Sequence, residues 1–114
     1  MTQLPKEGVL LRIFIGETDR HHGRPLYEQI VLKARELNLA GATVLRGLMG
    51  FGASSRVHTA KLLRLSEDLP VVIEIVDTEE NIQKILPFLE EVVQEGLITL
   101  EKAHVIQYRH RTEA

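Results

Sequence analysis

Cysteine is absent from the 114-residue chain, and so is tryptophan. Without thiols there is no disulfide, no thiolate metal site and no cysteine nucleophile. That usage suits a reducing cytoplasm. Aromatic residues are scarce, three Phe and two Tyr making 4% of the chain. Proteins that hold single-stranded nucleic acid stack its bases on aromatic side chains, and few are on offer. An excess of positive charge is missing as well. Lys and Arg number 14 against 16 Asp and Glu, for a formal net charge of -2. No basic field exists to gather a polyanion. Long hydrophobic runs are lacking too, and none approaches the roughly 20 residues that cross a bilayer. The start of the chain does not read as a signal peptide, because Arg12 interrupts its apolar run and no small-residue cleavage site follows. These absences point away from nucleic acid, thiol chemistry, secretion and membrane insertion. They leave a cytoplasmic globular chain.

What is present is aliphatic. Hydrophobic residues make up 44% and charged residues 26%, and residues 1–114 read as one domain with one modest core. Residues 9–15 (VLLRIFI) form a β-branched strand, and residues 16–23 a polar loop. Pro25 suits the first position of a helix over residues 25–38, in which Leu26, Ile30, Ala34 and Leu37 share one face. A strand is expected over residues 42–49, weakened by Gly47. A mobile glycine- and serine-bearing loop follows at about residues 50–58. The clearest strand is PVVIEIVD, residues 70–77. Asp77 and Glu80 have the spacing of a capping box, opening a helix with Ile82, Ile85, Leu89 and Val92 on its apolar face. Pro87 should kink that helix and Gly96 should cap its end. One or two short strands close the chain over residues 97–108. The order is βαββαβ, the α+β ferredoxin-like sandwich, with an antiparallel sheet and two helices on one of its faces.

The second sheet face should be polar if it meets water. Instead Leu10 and Phe14 flank Arg12, and Val72 and Val76 flank Glu74. An apolar face with one charge per strand predicts a homo-oligomer packed through its sheets. Arg12 and Glu74 lie mid-strand on neighbouring strands, which predicts a cross-strand ion pair, with a ligand role for the two as the alternative.

Function is concentrated after the second main strand. Glycines at Gly50 and Gly52 allow a ligand close to the backbone, and free amides there can form an anion nest. A tight turn would explain the same pair. The run Thr43-Val44, Gly50-Phe51-Gly52 and His58-Thr59 resembles the second strand and T-loop base of the PII signalling proteins. A closer resemblance covers nearly the whole chain. The strings GETDRH (residues 16–21), GRPLYE (residues 23–28), LSEDLP (residues 65–70) and EIVD (residues 74–77) look like the PII-like family known as domain of unknown function 190.

The resemblance implies a PII-like homotrimer that senses an adenine nucleotide of the AMP, ADP or ATP type, bound reversibly between subunits and without a covalent cofactor. It implies as nucleotide contacts Thr43, Gly50, Phe51, Gly52, Ser54, Arg56 and His58. Arg109 and Arg111 join them by likeness to an Arg-x-Arg-Thr tail. A mobile loop would relay binding to a partner protein. The departures are specific. The PII phosphate loop is glycine-rich, whereas residues 94–104 hold only Gly96. No tyrosine lies in residues 50–59 to be modified.

Two other readings stand beside this one. Asp19, His21 and His22, with His58 and His104, admit a metal-binding trimer like the copper-tolerance proteins. The resembled family has members encoded beside fluoride channels, and that resemblance admits a nucleotide-independent subunit of a membrane channel. Arg46, Arg56 and Lys61 surround the glycine loop as phosphate neutralisers or as solvated surface. Asp77, Glu79 and Glu80 read as charges complementing a helix dipole. No nucleophile, base and orienter can be read from the spacing of the three serines, so no catalytic constellation is assigned.

Overall fold

A computed structural model describes residues 7–52 and 68–111. The chain runs β1 (Glu7–Gly16), β2 (Arg20–His21), β3 (Arg24–Pro25), α1 (Leu26–Glu36), β4 (Thr43–Arg46), β5 (Pro70–Asp77), α2 (Glu79–Val92) and β6 (Leu97–His104). The four longer strands form one sheet in the order β4-β5-β1-β6, with every neighbouring pair antiparallel. That order with two crossover helices is the ferredoxin-like fold.

Alternation along the strands decides which side is core. Leu11, Ile13 and Ile15 of β1 are buried with Val71, Ile73 and Ile75 of β5. The helices close over them with Leu26, Ile30 and Ala34 from α1, and Ile82, Ile85, Leu89 and Val92 from α2. Every one of these side chains is aliphatic, as the scarcity of aromatics requires. Each fully buried Val, Leu or Ile among them contributes about 1.5–3 kcal/mol over leaving it in water.

Several boundaries differ from the sequence expectation, each for a local reason. Pro25 is the cap residue of α1, with φ -55° and ψ 128°, rather than its first helical residue. It ends a small hairpin with β2, turned by His22 and Gly23 at φ 54° and 77°, so the loop expected over residues 16–23 is partly paired. Helix α1 stops at Glu36 because Asn38 takes the left-handed conformation, φ 61°. Asn38 N–H donates to the Arg35 carbonyl and Leu39 N–H to the Ala34 carbonyl, a Schellman closure made with asparagine. Strand β4 ends at Arg46 instead of running to residue 49. Gly47 N–H still donates to Pro70 at 2.7 Å, but Pro70 has no N–H to return and the ladder stops there.

Helix α2 is capped by Thr78, whose hydroxyl accepts from Asn81 N–H at 3.1 Å. Asp77 was expected in that place. Its carboxylate turns inward instead, for reasons given below. The helix continues through Pro87 to Val92, and Val93 rather than Gly96 caps it. Gly96 serves close packing: a Cβ there would lie 2.5 Å from the Phe14 carbonyl oxygen. We expect Gly96→Ala to cost about 1–3 kcal/mol by overpacking. Thermal denaturation followed by circular dichroism checks this, and an unchanged midpoint would refute it. A single strand, β6, closes the sheet.

Candidate functional site

The residues after β6 build the site. Strands β6 and β4 are the opposite edges of the sheet. The chain leaving His104 nevertheless reaches the start of β4, where the Tyr108 hydroxyl donates to the Ala40 carbonyl at 3.0 Å. It must therefore cross the ends of β1 and β5. Val105 marks the crossing, its Cγ2 atom standing 3.4 Å from where a Gly8 Cβ would sit. Between this crossing segment and the sheet lies an open groove of about 530 Å³. Its walls include Thr43, Glu74, Val76, Ala103, Gln107 and Tyr108. Small-molecule sites fall at roughly 300–1,000 Å³ and combine apolar walls with a few placed polar groups.

The Tyr108 end of the crossing is fixed through one residue. Ala40 offers its carbonyl to Tyr108 and its N–H to the Asp77 carboxylate, at 2.8 Å. Asp77 also accepts from Thr78 N–H at 2.6 Å and from Asn81 Nδ2 at 3.0 Å. It is 1% exposed, the one buried charged side chain among the described residues. Local satisfaction of three donors, and not a dipole effect alone, explains its burial.

The polar wall of the groove continues an ionic row on the open sheet face. Thr43, Glu74, Arg12 and Thr99 stand in register across all four strands. Arg12 Nε donates to Glu74 Oε2 at 2.9 Å, and Arg12 Nη1 to Glu101 Oε2 at 3.3 Å. The expected cross-strand pair is thus present, with a second carboxylate added. The hydrogen bond that Arg12 donates to Glu74 raises the Arg12 pKa above its already high ordinary value, against the opposing pull of desolvation. Beside this row runs an apolar one, Leu45, Val72, Phe14 and Leu97, again one residue per strand. Leu45 and Leu97 are well exposed in the single chain.

The expected nucleotide contacts divide into groups. Thr43 lines the groove. Arg109 follows directly on Tyr108 and donates to the side chain of the groove residue Gln107 at 2.9 Å, outside the groove lining itself. Arg111 is exposed two residues further on. Gly50, Phe51 and Gly52 sit at the other end of β4, where a Gly50 Cβ would lie 3.1 Å from the Pro70 ring. Pro70 and Glu74 are four positions apart on β5, roughly 13 Å at strand rise. Within one chain the glycine pair and the groove are separate places. Ser54, Arg56, His58 and Lys61 lie outside the described residues. Arg46 is engaged by Glu17.

The histidines are also apart. His21 and His22 stack at 4.0 Å on their hairpin, with His21 edge-on to Phe88. Asp19 accepts from Gly16 N–H at 3.0 Å. His104 pairs with Glu7 at the opposite end of β1. Among the described residues no three His, Asp or Glu side chains form a set that could hold a metal ion. No described helix is long and apolar enough to cross a membrane.

Gln107 and Tyr108 are not among the residues that the sequence singles out, and Glu74 is read there first as an ion-pair partner, with a ligand role as the alternative. The alternation of β5 places Glu74 on the open face, a signal that was available. Nothing in the sequence showed that residues 105–108 would fold over it.

Comparison with known proteins gives a consistent picture. A family model described as "Uncharacterized ACR", DUF190, matches residues 8–105. A UPF0166 protein of Aquifex aeolicus is 44% identical over 99 residues, covering 85% of this chain and 91% of that one. A UPF0166 protein of Methanocaldococcus jannaschii is 40% identical over 97 residues, covering 84% and 89%. A second Aquifex aeolicus UPF0166 protein is 33% identical over 97 residues, covering 85% and 95%.

Proposed function

Since the chain belongs to the DUF190 family, and carries this groove, we propose that it is a PII-like sensor that binds an adenine nucleotide. The observation that carries the reading is the meeting of Thr43, Glu74 and the arginine-bearing tail at one groove. Glu74 spends Oε2 on Arg12, which leaves its other oxygen to accept from a ligand. The 6-amino group of adenine is a donor and suits a carboxylate. The 6-oxo group of guanine or hypoxanthine is an acceptor, so a carboxylate held opposite position 6 would face another acceptor, and only a shift toward the neighbouring N1–H donor would relieve it. The Thr43 hydroxyl can donate or accept. Val76 and Ala103 offer apolar contact to a purine face. Arg109, next in the chain after the groove residues Gln107 and Tyr108, is the natural partner of phosphate oxygens.

The proposal includes a cytoplasmic homotrimer joined through the open sheet faces. Its support is the four-strand apolar row and the separation of the glycine pair from the groove. A site split in this way inside one chain is completed if a neighbouring subunit supplies the other half. Relay to a partner is assigned to residues 50–58 on the sequence alone.

Calorimetry with AMP, ADP and ATP tests the reading. At least one should bind with a Kd well below millimolar. Glu74→Ala should weaken it about 10–100-fold, the worth of one hydrogen bond to a charged group. Absence of heat with all three nucleotides would overturn the proposal.

A further inference from the structure

The guanidinium of Arg12 sits outside the groove yet grips a residue inside it. Among the described residues, Glu74 is the one acidic side chain that both lines the groove and belongs to the ionic row on the open face. Carboxylates of this length turn readily about their terminal bond, so a lone glutamate presents no fixed acceptor. Here one oxygen is taken by Arg12 Nε at 2.9 Å. Arg12 stands directly opposite Glu74 in the β1–β5 register. Its own position is fixed from the far side by Glu101, at 3.3 Å. A guanidinium held between two carboxylates has few alternative geometries, because its donors lie in a rigid plane. The second Glu74 oxygen is consequently held in a set orientation before any ligand arrives.

We propose that Arg12 is a positioning residue: by anchoring Glu74 it sets the preference of the groove for 6-aminopurines over 6-oxopurines. This rests on the adenine-nucleotide reading above. An oriented acceptor discriminates where a swinging one does not, because a free carboxylate can turn away from an unfavourable 6-oxo group and relieve the clash. The effect of Arg12 should thus fall on selectivity more than on affinity for any one nucleotide. A purely structural role would change both binding constants together.

The test measures binding of whichever of AMP, ADP and ATP binds tightest, together with its inosine counterpart, by calorimetry. Wild type is compared with Arg12→Gln, Arg12→Lys and Glu101→Gln. Wild type should favour the adenine form by tenfold or more. Arg12→Gln should bring the ratio to within about threefold of unity. Arg12→Lys keeps the charge without the planar fork, and should recover part of the preference. Glu101→Gln keeps the Arg12–Glu74 bond and should leave most of the preference in place. If Arg12→Gln fails to fold, the Lys variant decides the matter by a reduced ratio. A wild-type ratio retained in the folded Arg12 variants overturns the inference while the adenine reading stands. Wild type that binds both forms equally also overturns the inference, whereas wild type that binds no nucleotide removes the adenine reading itself and the inference with it.

Discussion

Asp77→Ala is expected to lower stability by about 3–5 kcal/mol, from three unmet donors at roughly 1–3 kcal/mol each less relaxation. The donors are Ala40 N–H, Thr78 N–H and Asn81 Nδ2, all within 3.0 Å of the carboxylate. Since Asp77 is 1% exposed, water cannot take over without opening the end of α2. For a domain of this size the fall in Tm is roughly 12 °C or more. Asp77→Asn should be milder, because one carbonyl acceptor survives while the new amide opposes a donor. The damage should also reach the groove, because Ala40 carries Tyr108 on its carbonyl. Urea denaturation of the three proteins provides the measurement. A change below about 0.5 kcal/mol for Asp77→Ala would show that these bonds contribute nothing net.

Phe14→Glu is expected to break the proposed homotrimer into single chains. Phe14 lies in the apolar row between Val72 and Leu97, and beside Arg12 along β1. In a single chain its ring is partly exposed, so a carboxylate is tolerated there and the fold should survive. In an interface the same carboxylate would be desolvated at every copy, at several kcal/mol each. Light scattering at micromolar concentration should give three times the 12.9 kDa chain mass for wild type and the single-chain mass for the variant. Wild type at the single-chain mass would refute the oligomer. A variant that stays assembled would place the interface elsewhere.

Both substitutions show where reading from sequence succeeds. The two strand faces followed from alternation, because a side-chain period of two is a property of the backbone and needs no tertiary partner. The Arg12–Glu74 pair followed as well, once the fold order made β1 and β5 neighbours. The helix faces were equally legible from their period. Boundaries fared less well where a single group decides them. Asn38 ended α1 by adopting positive φ, and Pro70 ended the β4 ladder for want of an N–H. Asp77 was misplaced as a cap because Thr78, one residue on, offers a hydroxyl for the same duty.

The candidate site was legible only in part. Thr43 and the arginine tail were named from resemblance, and the groove has Thr43 in its wall and, in Gln107, the side chain that Arg109 bonds. Glu74 reads first as half of an ion pair, with a ligand role only as the alternative. The sequence by itself determined the ferredoxin-like order, the aliphatic core and the apolar character of the open face, because these rest on periodicity and composition. Only the tertiary structure decided that Tyr108 meets Ala40, 68 positions away in sequence, and that Asp77 holds the same residue from the other side. Such contacts depend on where distant segments come to rest, and no local pattern of residue types encodes that.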